Sequence, residues 1–499
     1  MSAMRGLLPA RAGCLCLAAL AATAAVWLLG PGRAASAPRV GAADAAPGLP
    51  VVVSVTPASS APAVARDFLG LSFEVSDLPR IASYAKRGDL VTLLRSLGTG
   101  VMRFGGASAD ASAAWSAGGP APPWALTRIT AADLRALGVL AARTGWSVLL
   151  TVNLGHYDPA AAAQEAHVAA LALGNRLAGI EIGNEPDAYM NMGLRARGWN
   201  YAAYRGQADA YRAAIHAAAP GVAIVGPDAS SGVAQLAWLR AEAAGAHPPL
   251  LTDHYYPTSS CGYTPQLSDL LSPRLRLGET SMLTRLASIS RSTGIPVRLD
   301  ETNSISCSGE PGVSNAFAST LWALDYVTRA MALGLSGLDL HDLIGKPFAY
   351  SPLVAENAGA LADGELHANP EWYALLVARE LVGDRPLPST VRAGDGELSA
   401  FALRSPKGAL AIVLVDFDEP GAQALSVRLH VPSGYRAGTV LRITAPSPAA
   451  LDGVKLDGIG VDRRGGFSPP SGLPALSGGP RSLTLSMAPA SAALVTLAR

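Results

Sequence analysis

Charged side chains are scarce in this chain. Asp, Glu, Lys and Arg make up 15% of 499 residues, and the formal net charge is +1. No strong global field therefore draws in nucleic acid or an anionic membrane, so an acidic substrate must be recognised by a local arrangement. Cysteine is scarcer still, with four in all, and Cys14 and Cys16 fall in an N-terminal apolar run. No Gly-rich phosphate loop of the dinucleotide or Walker type follows any β-type run, and no second His or Cys stands at metal-ligand spacing from His341. Neither a cofactor nor a metal is expected. What the chain has in quantity is hydrophobic residues, 49% of the total, as a well-buried globular enzyme does. Its length exceeds what one compact core accommodates, which predicts a large domain and a smaller one.

The N-terminus reads as an address. Arg5 and Arg11 precede the apolar run from Cys14 to Leu29, and Ala35-Ser36-Ala37 follows. A basic head, a short apolar core and a small-residue cleavage site predict a secretory signal peptide over residues 1–37. The run is shorter than the roughly 20 residues that span a bilayer comfortably. A secreted or periplasmic protein with no stable membrane insertion after cleavage is expected; an uncleaved anchor is the alternative. Residues 38–50, rich in Ala, Pro and Gly, form a linker, and a strand is predicted over 51–56.

Beyond it, apolar β-type runs alternate with Ala- and Leu-rich helical stretches. The runs are Phe68–Phe73, Gly100–Phe104, Ser147–Leu154, Gly179–Ile182, Val222–Val225, Leu250–His254, Pro296–Leu299 and Gly337–Leu340. Such alternation predicts a parallel sheet with crossover helices, either a closed (β/α)8 TIM barrel over 57–383 or an open doubly wound sheet. The polar character of the strand ends favours the barrel. Glu74, Arg103, Asn153, Asn184-Glu185, Asp228, Tyr255, Glu301 and His341-Asp342 would all converge on its C-terminal face, where barrel active sites lie. From 384 to 499 short alternating segments are separated by Gly, Pro, Ser and Asp, which predicts a C-terminal antiparallel β-sandwich.

Two carboxylates stand out. Glu185 lies in Gly-Asn-Glu-Pro after the fourth run, and Glu301 in Asp-Glu-Thr-Asn after the seventh. Three βα units separate them, so they face each other across the barrel mouth. Hydrolysis of a glycosidic bond with retention needs one carboxylate to attack the anomeric carbon and another to protonate the leaving oxygen, with the two roughly 5–5.5 Å apart. Ionising one raises the pKa of the other, which lets a proton donor and an ionised nucleophile coexist. Glu185 is read as the acid/base and Glu301 as the nucleophile. Glu181 shares the inward side of its strand, as a buried hydrogen-bonding partner. Asp300 should point away if Glu301 points in, and Glu279 reads as first-turn charge at a helix N-terminus.

Arg103-Phe104-Gly105-Gly106, Gly183-Asn184-Glu185-Pro186, His254-Tyr255-Tyr256-Pro257 and Glu301-Thr302-Asn303-Ser304 resemble glycoside hydrolase family 79, the β-glucuronidases and heparanase-like enzymes. A stretch from Gly312-Val313-Ser314 to Ala323-Leu324-Asp325 is also similar, and the resemblance runs from about residue 50 to the C-terminus. That family pairs its barrel with a β-sandwich and lets the strand before the barrel join the sandwich. The resemblance implies that Asn184 contacts the sugar 2-hydroxyl and that Tyr255 hydrogen-bonds the nucleophile. Glu74 and Asp110 would bind outer hydroxyls, and His341 would contact sugar. A uronate carboxylate would meet backbone amides of the Cys307–Gly312 loop, at Gly309 and Gly312, together with Tyr350; Lys346 is a second candidate. Glu310 and Asp253 depart from the family pattern and put the substrate in doubt, not the reaction.

Cys261 and Cys307 follow adjacent strands at the catalytic face, which predicts a disulfide between them. The combined expectation is an exo-acting β-glucuronidase that removes terminal glucuronate from an oligosaccharide, polysaccharide or glycoconjugate. An endo-acting heparanase-like enzyme, a β-xylosidase or arabinofuranosidase, and a non-catalytic carbohydrate-binding protein are the alternatives.

Overall fold

The computed structural model describes residues 48–59, 61–346, 350–478 and 482–499. The predicted signal peptide and nearly all of the linker lie outside them. Among the described residues no helix is long and apolar enough to cross a membrane.

Eight parallel strands form the central sheet: β1 Leu69–Glu74, β2 Val101–Gly105, β3 Ser147–Val152, β4 Leu177–Ile182, β5 Gly226–Ala229, β6 Leu251–Tyr255, β7 Val297–Thr302 and β8 Gly337–His341. They pair in the order β4-β3-β2-β1-β8-β7-β6-β5. The two ends meet, because Ile180 of β4 donates to Ala223 O and accepts from Val225 N, both at 2.9 Å. The fold is therefore a closed (β/α)8 barrel. The run expected as the fifth strand, Val222–Val225, supplies this seam, while the ladder to β6 is carried by the Gly226–Ala229 segment after it.

Local chemistry explains the helices between the strands. Thr130 and Asp133 form a capping box that starts helix Ala131–Thr144, and Gly145 ends it in a left-handed conformation. Ser272 caps helix Pro273–Thr293, and Gly294 closes it in the same way. Glu279 sits inside that helix, not in its first turn, and accepts a 2.6 Å hydrogen bond from buried Trp322. It corrects the N-terminal charge reading: Pro273 and Ser272 begin the helix one turn earlier than the sequence around Glu279 suggests.

The C-terminal segments make two facing sheets. One has six strands in sequence along its path, Arg385–Leu387, Leu398–Arg404, Leu410–Asp416, Ser491–Ala498, Ala437–Thr444 and Lys455–Leu456, with Ala475–Ser477 paired to Ala437–Thr444. The other orders Ser389–Arg392, Leu49–Val55, Leu425–His430 and Ser482–Met487. The strand before the barrel thus enters the sandwich, and its pairing with Leu425–His430 is parallel, the one departure from an antiparallel sandwich.

Strand Leu410–Asp416 is apolar from Leu410 to Val415 because both faces are covered. Ile412 and Leu414 enter the sandwich core, while Val413 and Val415 pack into the barrel's cluster. Arg276 fixes the junction, with its guanidinium 4.0 Å from the Phe417 ring centroid and 2.7 Å from Glu397 Oε2.

Candidate active site

Arg103 stands at the centre of the barrel mouth, fully buried. It reaches the pocket because β2 alternates, sending Arg103 inward, and because two glycines clear its surroundings. A Cβ on Gly105 would lie 2.2 Å from the guanidinium carbon, and one on Gly106 would lie 2.5 Å from the Glu74 carboxyl carbon. Its Nη1 donates to Glu301 Oε2 at 2.7 Å and to Ser72 Oγ at 3.0 Å. Nη2 donates to Asn184 Oδ1 at 2.8 Å and to both oxygens of Asp228 at 2.9 Å. Nε donates to Glu181 Oε2 at 3.1 Å and lies 3.4 Å from Asp300. One guanidinium thus gathers side chains from β1, β4, β5 and β7, each with little freedom to move.

Asp300 and Glu301 are neighbours in sequence, yet both turn inward. In the β6–β7 ladder Leu299 pairs with Asp253 and Glu301 with His254, so Asp300 is the extra residue of a β-bulge. Strict alternation predicted that Asp300 points away, and the bulge overrides it. Burial, then the nearby Glu181 and Asp228 charges, raise the Asp300 pKa far above the carboxylate range, with Arg103 opposing. Burial would also raise Glu301, but His341, His254 and Arg103 outweigh it and hold its carboxyl at about 2. The two adjacent carboxyls are therefore shifted in opposite directions, Asp300 up and Glu301 down.

Glu185 closes the opposite side. It occupies a left-handed backbone conformation, φ 49° and ψ 51°, which costs a residue with a Cβ roughly 1–3 kcal/mol and is held because Glu185 N donates to Asp228 O. His254 Nδ1 lies 3.0 Å from Glu185 Oε1 and 4.0 Å from Glu301 Oε1, and its Nε2 lies 2.7 Å from Asp228 Oδ1. The two glutamates therefore flank a single imidazole nitrogen. Burial lowers the His254 pKa, but the Glu301 and Asp228 charges and the hydrogen bonds from Asp228 and Glu185 raise it well above the ordinary histidine value.

Tyr256, not Tyr255, donates to Glu301 Oε1, at 3.0 Å. Side chains of β6 alternate, so Thr252, His254 and Tyr256 face the interior. Tyr255 turns out of the pocket and stacks near Tyr326. Asp110 fits the role of a sugar contact poorly. It is buried beneath the mouth, accepting from Leu154 N, Gly155 N, Asn184 N and Tyr189 Oη at 2.6–2.8 Å. Those four donors tie the loops after β3 and β4 together and leave Asp110 no open face.

Other residues singled out from sequence lie near Glu301 or Glu74. His341 Nδ1 is 3.6 Å from Glu301 Oε2, and its Nε2 is 3.9 Å from Glu74 Oε1. Glu74 accepts from Ser108 N at 2.9 Å and from the Ser108 hydroxyl. Tyr350 packs edge-on to His341 and tilted to Tyr256, both at 5.8 Å between centroids. Gly309 backs onto the Tyr350 amide: a Cβ there would stand 2.9 Å from Tyr350 N. Gly312 fits the uronate role poorly. Its N–H is taken by Asn315 Oδ1 at 2.7 Å, and it borders a groove toward the sandwich with Phe417 and Pro448. A disulfide joins Cys261 to Cys307, with Cα atoms 5.7 Å apart, beside the short parallel pair Thr258–Ser259 and Ile305–Ser306.

Ser72, Arg103, Asp228 and His254 carry much of this geometry and had no assigned role from sequence. The signal was their position at strand ends, shared with the residues that were assigned. Among the described residues one group brings metal-ligating atoms together, Asp228, His254 and Asp300 within 4.8 Å. Arg103 already supplies the positive charge there.

The fold is similar to that of several solved glycosidases. A 4-O-α-L-rhamnosyl-β-D-glucuronidase from Fusarium oxysporum, solved with Rha-GlcA, superposes with a TM-score of 0.72 at 20% identity, over 90% of this chain and all of that one. A family 51 arabinofuranosidase from Xanthomonas axonopodis pv. citri gives 0.65 at 13%, and one from Bifidobacterium longum the same values, each over 90% of this chain and 99–100% of its own. At these identities the likeness is one of fold. No family profile and no curated protein matches the sequence.

Proposed function

We propose that this protein is a retaining glycoside hydrolase, with Glu301 as nucleophile, Glu185 as general acid/base and a β-linked glucuronate as the sugar attacked. The observation that carries the reading is the placement of Glu185 Oε1 and Glu301 Oε1 at 3.0 and 4.0 Å from one nitrogen of His254. Those two distances laid end to end bound the separation of the carboxylate oxygens. The bound accommodates the roughly 5–5.5 Å of retaining enzymes, which supports the reading.

In the first step a Glu301 oxygen bonds to the anomeric carbon while the bond to the leaving oxygen breaks and Glu185 gives that oxygen its proton. The product is a glycosyl ester of Glu301. In the second step Glu185 removes a proton from water, the water oxygen bonds to the anomeric carbon, and the ester bond breaks, returning Glu301 as carboxylate. Arg103 and Tyr256 hold the two Glu301 oxygens in place, and His254 orients Glu185 against Asp228. Asn184, fixed through its Oδ1 by Arg103, keeps its amide NH2 for the sugar 2-hydroxyl.

Glucuronate is favoured by the fold likeness to the rhamnosyl-glucuronidase and by the Tyr350 and Gly309 wall beside His341. The test is a panel of aryl β-glucuronide, β-glucoside, β-xyloside and α-arabinofuranoside. Preferential glucuronide cleavage, lost in Glu185→Gln and Glu301→Gln, is expected. Preference for a neutral sugar would discard the glucuronate assignment.

A further inference from the structure

Glu165 is a buried acid with no role in the site described above. It lies on helix Pro159–Leu173, which follows β3, and is 4% exposed. Among the described residues no group donates a hydrogen bond to it, and burial alone pushes its carboxyl up to about 8. Buried Glu181 and Asp110, by contrast, both accept hydrogen bonds. A carboxyl buried without a partner is costly, and such a group calls for a reason.

Glu165 lines a cavity of about 70 Å³ at the end of the barrel where Asn153 follows β3. Trp115 and Trp124 wall it from the segment after β2, with Asn153, His156 and Asp158 from the loop after β3. These polar neighbours already have partners. The Asn153 amide donates to Asp110 O and Ala113 O and accepts from His156 N. Asp158 Oδ1 caps its helix at Ala160 N and Ala161 N. His156 lies flat on Trp124, with ring centroids 3.6 Å apart, and burial lowers its pKa against the Asp110 charge. The lining therefore offers two acids, aromatic rings and no Lys or Arg.

Size and charge decide what fits. The volume holds roughly two water molecules' worth of matter, too little for a sugar ring. The acids repel an anion. A compact cation meets the opposite charge that Glu165 lacks, beside rings whose quadrupoles attract it.

We propose that this cavity binds a small amine in its ammonium form, with Glu165 as counter-ion and Trp115 and Trp124 as the walls of an aromatic cage. The bound cation holds the Glu165 carboxyl ionised. The site is separate from the two glutamates of the barrel mouth and stands whatever sugar they act on.

The test is isothermal titration calorimetry of the intact protein with methylammonium chloride, at about pH 8.5 so that Glu165 is largely ionised. Sodium chloride at equal ionic strength and methanol, an uncharged molecule of similar size, are the controls. Methylammonium should give saturable binding at one site, and neither control should. Glu165→Gln keeps the shape and removes the charge, and should weaken binding about tenfold or more. Trp124→Ala, at a half-buried position, should weaken it about two- to fivefold and serves if Glu165→Gln does not fold. Circular dichroism checks the folding of both. The absence of saturable binding, equal binding of methanol or sodium, or undiminished binding in a folded Glu165→Gln or Trp124→Ala would overturn the site.

Discussion

The Tyr256 hydroxyl donates to Glu301 Oε1 at 3.0 Å, while its neighbour Tyr255 turns out of the pocket toward Tyr326. A hydrogen bond to a charged group is worth about 1.5–3 kcal/mol. Tyr256→Phe should therefore lower kcat/KM by roughly 10- to 100-fold, and Tyr255→Phe should leave it within about twofold. Steady-state rates on one aryl glycoside check the pair. The reverse order would mean that β6 presents the other tyrosine to Glu301.

Asp110 accepts four hydrogen bonds in the interior and offers nothing to a ligand. Asp110→Ala strands buried donors at about 1–3 kcal/mol each, so urea unfolding should show a loss of roughly 3 kcal/mol or more. KM for a small glycoside should change little in the fraction that remains folded. A raised KM with unaltered stability would restore Asp110 as a sugar contact.

Much of the fold was legible because two periodicities were clear: apolar β runs between amphipathic helices, then short alternating segments. The two glutamates stood out because each follows a strand with a polar end. What failed was side-chain direction. The resemblance implies Tyr255 at Glu301, whereas alternation along β6, counted from inward-facing His254, brings Tyr256 there. Asp300 was turned outward because a bulge leaves no mark in a single sequence. Asp110 looked like a pocket acid because its four donors come from segments 40 to 80 residues distant. Sequence proximity says nothing of such partners.

Ionisation predicts a mildly acidic optimum for stability. Glu301 is depressed from 4.5 to about 2, so its contribution is complete above 4.5 and is lost as pH falls toward 2. His254 is raised above 6.5, so its contribution is complete below 6.5 and is lost as pH rises through its folded value. Buried Glu165 and Glu279 are raised by desolvation from 4.5 to about 8. For these the folded state binds more protons, so stability falls as pH rises between 4.5 and 8. The melting temperature should be higher at pH 5 than at pH 8, and Glu165→Gln with Glu279→Gln should narrow the gap. A higher melting temperature at pH 8 would contradict this balance.

The Cys261–Cys307 bridge spans 46 residues and ties the loop after β7, which follows Glu301, to the loop after β6. In the chain-entropy model such a closure is worth about 4 kcal/mol. Cys261→Ser with Cys307→Ser should lose stability of that order in urea unfolding, and peptide mass spectrometry of the parent protein should find no free thiol at Cys261 or Cys307. Free thiols at both of these positions would remove the bridge.

The most direct measurement is the anomeric configuration of the first sugar released, followed by proton NMR before mutarotation, from whichever β-linked aryl glycoside the enzyme cleaves best. Attack by Glu301 and then by water inverts the anomeric carbon twice, so the β-anomer should appear first and the α-anomer only later. Initial appearance of the α-anomer would contradict nucleophilic catalysis by Glu301 and make the pair Glu185 and Glu301 an acid and a base acting in a single displacement.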